Sequence, residues 1–233
     1  MSNDLEKKEK KSAGVDTSWI NPDAKLVALT FDDGPVDWSE DSTAMKILKT
    51  LKEYGQHATF FYNGKQINEK SSKEILFAQE IGCEIGNHTW SHLFLTKLTE
   101  DEILSEVNKN ADILKSITGQ TPYLFRVPYL DYNETVLSTI KAPIINCSVD
   151  SKDWNKASKE EIVNNIFDAH NNGTLENSIV LLHETYETTQ KAIEEIIPKL
   201  MKEGYQVVTV SELAIMNGVE LVPGQVYEKL EKK

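Results

Sequence analysis

The chain reads as a single α/β barrel-like domain with parallel strands, and three observations predict it. Short apolar, β-branched runs recur along its whole length, and helical patterns with readable ends separate most of them. No internal repeat or Pro/Ser-rich linker divides residues 25 to 213. Alternating strand and helix implies parallel strands, because each helix carries the chain back across a face of the sheet before the next strand begins.

Seven candidate strands follow in order. LVALTF (26–31) is the first, and a helical pattern from Ser42 to Tyr54 stops at Gly55. ATFFY (58–62) and EIGN (84–87) are the second and third. Thr99 and Glu102 then form a capping box that opens a helix reaching Thr118, which Gly119 stops. YLFRV (123–127) and IINCSV (144–149) are the fourth and fifth. Ser158 and Glu161 open a helix to Asn172, stopped at Gly173, and IVLLH (179–183) is the sixth strand. A helix from about Glu187 to Glu203 contains Pro198, which predicts a kink or a later start. QVVTV (206–210) is the seventh.

Composition narrows the function. Of 233 residues, 25 are Lys or Arg and 37 are Asp or Glu, a formal charge of 25 − 37 = −12, which argues against a nucleic-acid partner. The longest apolar runs, such as Leu26 to Leu29 and Ile179 to Leu182, fall far short of the roughly 20 residues a membrane span needs. The stretch MSNDLEKKEKKSAG has no apolar region, so as it stands it is neither signal peptide nor anchor. Residues 1–24 read as a charged tail or linker and 25–233 as the functional domain. Cys83 and Cys147, 64 positions apart, read as two buried thiols.

Reactive residue types fall at strand ends. Asp32 and Asp33 close the first strand, Asn87 and His88 the third, Arg126 the fourth, Asp150 and Asp153 the fifth and His183 the sixth. In parallel α/β architectures the carboxyl ends of the strands meet on one face, where sites are built. Neighbouring strand residues point to opposite sides, so Asp32 and Asp33 approach the site from different directions and suit two roles. As Asp-Asp-Gly-Pro, they equally suit a turn. His88-Thr89-Trp90-Ser91-His92 sets two imidazoles four apart, a spacing that one helical turn brings to one face and that suits a metal. A third ligand is at hand in Asp33 or Asp32. Metalloprotease chemistry is unsupported because Thr89 stands where the H-E-x-x-H glutamate would be, whereas a two-His, one-carboxylate iron site matches the ligand count. Arg126 is a permanent cation suited to orienting a carboxylate, or to a structural ion pair. Asp150, Asp153 and Trp154 read equally as an Asx turn, a helix cap and a core tryptophan. His183 ends a very apolar strand and needs a polar partner. His57 and His170 read as structural, the second closing a helix where its cation favours the dipole.

Taken in order, TFDDGP (30–35), HTWSH (88–92), RVPY (126–129), DSKDW (150–154) and LLH (181–183) resemble the five motifs of the polysaccharide deacetylases of carbohydrate esterase family four, the chitooligosaccharide deacetylase homology domain. The resemblance spans roughly Leu26 to Leu213. It implies a distorted (β/α) barrel and removal of N- or O-acetyl groups from a β-linked polysaccharide with one divalent metal ion, zinc first, cobalt or nickel as alternatives. Asp33, His88 and His92 then look like the metal ligands and Asp32 like the catalytic base, oriented by Arg126. Asp153 would pair with His183, the implied general acid, while Tyr129 would offer its backbone N–H to the oxyanion. Trp154 and Leu181 would wall the acetyl methyl. The partner would be an acetylated polysaccharide or oligosaccharide, an N-acetylglucosamine polymer such as chitooligosaccharide or peptidoglycan or else acetylated xylan, met outside the cell or at its wall. Leu130-Asp131 follow RVPY where glycine is frequent, and Glu184 follows the motif histidine where aspartate is frequent. Two alternatives differ in class: a non-catalytic carbohydrate-binding protein that retains the metal site, and a hydrolase of small amides on a related barrel.

Overall fold

The computed structural model describes residues 14–231 apart from residue 37. The expected tail lies outside the described residues through position 13. Of the rest, Ile20 is buried in the core and the Trp19 ring lies tilted against His57 with centroids 3.9 Å apart, so packing begins ahead of the first strand.

The elements are β1 (Lys25–Gly34), α1 (Thr43–Tyr54), β2 (Thr59–Tyr62), α2 (Ser71–Glu80), β3 (Glu84–Asn87), α3 (Glu100–Thr118), α4 (Glu134–Thr139), β4 (Ile144–Ile145), β5 (Val149–Asp150), α5 (Lys159–Asn171), β6 (Ile179–His183), α6 (Glu187–Lys202), β7 (Tyr205–Val208), α7 (Val210–Met216) and β8 (Val226–Tyr227). Strands β3, β2, β1, β6 and β5 lie side by side in that order, all parallel, with β7 alongside the start of β1. Parallel bridges from Asn87 to Phe125 and from Phe125 to Ile144 carry the curl onward to β4, which pairs with β8.

Period-two alternation sorts the side chains into two cores. Val27, Leu29 and Phe31 of β1, Phe60 and Tyr62 of β2, and Val180 and Leu182 of β6 pack outward against the apolar stripes of α1, α5 and α6. Leu26 and Ala28, Phe61, and Ile179 point inward with Leu124, Ile145 and Val208. The inward rows continue as Thr30 and Asp32 on β1 and as Leu181 and His183 on β6, whose registers match: Thr30 faces Leu181 and Asp32 faces His183. An inner row of ordinary hydrophobics thus changes to polar residues at its carboxyl end.

Both expected capping boxes are present, on Thr99 with Glu102 and Ser158 with Glu161, and Gly55 and Gly119 close their helices in the left-handed region. Four expectations need correction. The fourth strand is reduced to a single bridge at Phe125, and IINCSV is split into β4 and β5. The Arg126 guanidinium takes the carbonyls of Ile145 and Asn146, which lie at that break. The strand expected over 206–210 ends at Val208, because Thr209 and Glu212 form another capping box and start α7. Finally, α6 starts at Glu187 with Pro198 inside it. Its buried Ile193, Ile196, Ile197 and Leu200 supply packing that outweighs the lost hydrogen bond. Helices α2, α4 and α7 were not foreseen.

Candidate active site

The end of β1 decides the geometry. The register against β2 shifts between Asp32 and Gly34, and Asp33 takes a left-handed φ of 68°. This undoes the strict alternation expected for the two carboxylates. Both face the same imidazole: His88 Nε2 lies 3.7 Å from Asp32 Oδ2 and 3.5 Å from Asp33 Oδ1. The 88–92 segment is not a helical turn. It is a loop with Thr89 (φ 66°) and His92 (φ 57°) left-handed, and it still brings His92 Nε2 to 3.2 Å from Asp33 Oδ1.

Asp33, His88 and His92 each offer one ligand atom within 4.8 Å of the others. The surroundings suit a cation. His88 Nδ1 lies 2.8 Å from the Arg126 carbonyl, which accepts its N–H and leaves Nε2 as a buried lone pair with no hydrogen-bond partner among the described residues. A lone pair aimed at two carboxylates is stable only with a proton or a metal between them. Burial opposes charge on His88, but Asp32 and Asp33 outweigh it and raise its pKa. For His92, burial and the neighbouring His88 lower the pKa, which keeps the ring in its ligating neutral form. Burial alone would raise the Asp33 pKa, yet the imidazole of His88, 3.5 Å away, with those of His92 and His183, holds it well below the usual carboxylate range.

Two buried pairs flank the triad. Arg126 is fully buried and Nη1 donates to Asp32 Oδ1 at 2.8 Å and to Thr30 Oγ1 at 2.7 Å, while Nε donates to the Ile145 carbonyl and Nη2 to that of Asn146. Phe61 lies 4.4 Å beneath the guanidinium. On the other side, Asp153 Oδ1 lies 2.8 Å from His183 Nδ1, and Oδ2 accepts from the His183 backbone N–H at 2.7 Å and from Thr189 Oγ1 at 2.7 Å. His183 Nε2 is left facing the site, 4.0 Å from Asp33 Oδ2. Burial works against its charge, but the hydrogen bond and charge of Asp153, with Asp32 and Asp33, push its pKa up to about 8.

The remaining predicted residues differ in exposure. Trp154 is 52% exposed, so it is no core tryptophan, and its Nε1 lies 3.3 Å from the Asp150 carboxylate. Leu181 is buried two residues before His183 on the same face. Tyr129 is left-handed (φ 60°) and 54% exposed, and its ring stacks on Phe94 at 3.8 Å. Leu130 is left-handed too (φ 54°), the conformation that glycine, frequent at this point in the family, adopts without strain. Asp150 accepts from the Lys152 N–H as the expected Asx turn. His57, bound to Glu212, and His170, beside Tyr205, stand away from the site. Cys83 is buried and Cys147 half-buried, and both are free thiols.

Several supports escaped the sequence reading. Asn87 Oδ1 accepts from the Thr89 N–H and from Asn110 Nδ2, which also donates to the Tyr62 carbonyl. Glu106 binds both the N–H and the hydroxyl of Ser91. Together they set the loop that carries both histidines. Asn110 left a signal: it interrupts the apolar stripe Ile103, Val107, Leu114 of α3, where a polar residue must have a buried partner.

Fold and site together define a (β/α) barrel with a two-histidine, one-carboxylate centre at the carboxyl ends of its strands. A family model for polysaccharide deacetylases matches residues 20–143, and the chain belongs to that family, carbohydrate esterase family four. It is 39% identical over 194 residues to the peptidoglycan-N-acetylmuramic acid deacetylase PdaC of Bacillus subtilis, a match covering 83% of this chain and 40% of the relative, so the chain spans well under half of that protein. Among solved structures it is similar to the esterase domain of a multidomain xylanase from the hindgut metagenome of Trinervitermes trinervoides (TM-score 0.81, 32% identity, 91% of this chain, 100% of that one). It is also similar to a family 4 acetyl xylan esterase from Clostridium thermocellum in complex with a cobalt ion (TM-score 0.80, 30% identity, 88% of this chain and 99% of that one).

Proposed function

We propose that this chain is a divalent-metal-dependent deacetylase of an N-acetylated wall polysaccharide, acting outside the cell or at its wall, with acetylated xylan as the second substrate class. The observation that carries it is the convergence of three units on one face: the Asp33, His88 and His92 triad, the Asp32–Arg126 pair and the Asp153–His183 pair. The name of the Bacillus relative favours peptidoglycan, and the xylanase and xylan esterase neighbours keep the ester alternative.

A divalent ion, zinc first with cobalt or nickel as alternatives for these mixed N/O ligands, would polarise an acetyl carbonyl and acidify a water. Asp32 takes the water's proton, and the Arg126 hydrogen bond keeps that carboxylate ionised and aimed. His183 gives a proton from Nε2 to the departing nitrogen or oxygen, while Asp153 fixes the Nδ1–H tautomer and stabilises the cation. The Tyr129 backbone N–H serves the oxyanion, and Trp154 and Leu181 enclose the acetyl methyl. The test is acetate released from peptidoglycan, chitooligosaccharide and acetylated xylan by metal-loaded and chelator-treated protein. Release that disappears on chelation supports the proposal. Binding of glycan with no release from any substrate under zinc, cobalt or nickel overturns it in favour of a binding protein, and release from small amides alone favours the amide hydrolase.

A further inference from the structure

The strand that aims His183 into the site turns its next residue, Glu184, to the opposite, outer face. Glu184 is fully buried there, and so is Glu74 from α2. Glu74 interacts with Glu184, with the Tyr62 hydroxyl and with the Val36 N–H. All four carboxyl oxygens and the buried Tyr62 hydroxyl are without a hydrogen-bond partner of ordinary geometry among the described residues. Asp32, Asp33 and Cys83 add further negative or neutral groups to this environment, and the one cation beside it is His183, which directly precedes Glu184 and is turned to the other face by Asp153. The contact with the catalytic strand is close: a Cβ on Gly34 would lie 1.5 Å from Glu184 Oε1 and 2.8 Å from Tyr62 Cε1. Gly34 is therefore required for space, directly after Asp33.

Two ionised carboxylates in contact in a dry site repel strongly, and one proton between them converts repulsion into a hydrogen bond. We propose that Glu74 and Glu184 share a proton as an acid pair that ties β6, α2 and the Gly34–Val36 turn together from behind, making both positioning residues for Asp33. Burial raises the pKa of both groups, in keeping with a retained proton. The positioning role rests on the metal site proposed above, and the shared proton does not. The pair also accounts for glutamate at 184, one methylene longer than aspartate, as the length that reaches Glu74.

Infrared difference spectroscopy at neutral pH tests the proton directly. The C=O stretch of a buried carboxylic acid is expected in the wild-type chain and absent in Glu74→Gln, whose amide donates to Glu184 in its place. Absence of the band in the wild type, or its persistence in both Glu74→Gln and Glu184→Gln, overturns the pair. Positioning is tested by zinc titration of the full chain, read calorimetrically. Glu184→Gln is expected to keep wild-type affinity and Glu184→Leu to bind roughly tenfold more weakly. A folded Leu variant, judged by circular dichroism, that binds zinc as the wild type does overturns the positioning role, and so does a Gln variant that loses affinity as the Leu variant does. If the Leu variant does not fold, Glu184→Ala, shown folded by circular dichroism, takes its place with the same two readings. Neither readout needs acetate release, so a chain that binds zinc but deacetylates nothing counts against the proposed function alone.

Discussion

Asp153 grips His183 at two points, the ring through Nδ1 at 2.8 Å and the backbone N–H at 2.7 Å. The carboxylate therefore sets both the rotation of the imidazole and its charge, and it is itself held by Thr189 from α6.

Asp153→Asn is expected to cut acetate release on the order of 100-fold or more, since the amide stabilises the histidinium poorly and can hold the wrong tautomer. The pH profile checks the cause. Asp153 raises the His183 pKa, so removing its charge lowers it. The protonated acid is lost as pH rises through that pKa, so the alkaline limb of the variant moves to lower pH than in the metal-loaded wild type.

Asp32→Asn keeps a hydrogen-bond acceptor for Arg126 but removes the carboxylate proposed as the base. Acetate release is expected to fall roughly 100-fold to 10,000-fold with zinc affinity little changed. Asp32→Leu adds a second effect, because Arg126 is left as a buried unpaired cation, a loss of about 3–5 kcal/mol in denaturant unfolding.

His92→Ala removes a proposed ligand that is one-quarter exposed and leaves His88 and Asp33 in place. Zinc binding is expected to weaken at least about tenfold, with the fold intact by circular dichroism and acetate release recoverable only at high zinc. Unchanged calorimetric affinity would remove His92 from the ligand set.

Glu74→Gln should stabilise the chain in a defined pH window. Burial raises the Glu74 pKa above its ordinary value, so once pH passes that ordinary value the folded state keeps a proton that the unfolded state has released, and stability falls as pH rises. The neutral amide removes that slope. Thermal unfolding is expected to show no gain at pH 4 and a gain of about 2–4 kcal/mol by pH 8, as an order of magnitude. An equal gain at both pH values would mean that packing, not protonation, is responsible.

Phe94 joins the two loops that carry His92 and Tyr129, aided by Thr96 Oγ1 donating to Asp131 Oδ2 at 2.6 Å. Phe94→Ala is expected to lower kcat several-fold more than it raises KM, because the left-handed Tyr129 loses its stack and its N–H loses its aim. Phe94→Trp should restore most of the rate, and a variant affected in KM alone would show that the ring only touches substrate.

Much of this site was legible in the chain. Asp33, His88 and His92 meet, Arg126 reaches Asp32, and Asp153 pairs with His183, because strand ends in a parallel sheet converge wherever they stand in sequence. Helix caps were readable since a Thr or Ser and a Glu three residues later act within one turn. The departures at Leu130, Asp131 and Glu184 were visible as substitutions but not as contacts.

Sequence by itself determined the alternation of strand and helix, the helix ends and which residue types stand at the carboxyl edge, because periodicity and capping are local. Only the tertiary structure decided that Asp33 turns to share a face with Asp32, that the two histidines ride a loop, and that Arg126 takes the carbonyls where the fifth strand breaks. It alone joined Asn87 to Asn110 and Asp153 to Thr189. These bonds form between segments far apart in the chain, and they are strong because burial removes the water that would otherwise satisfy each group alone.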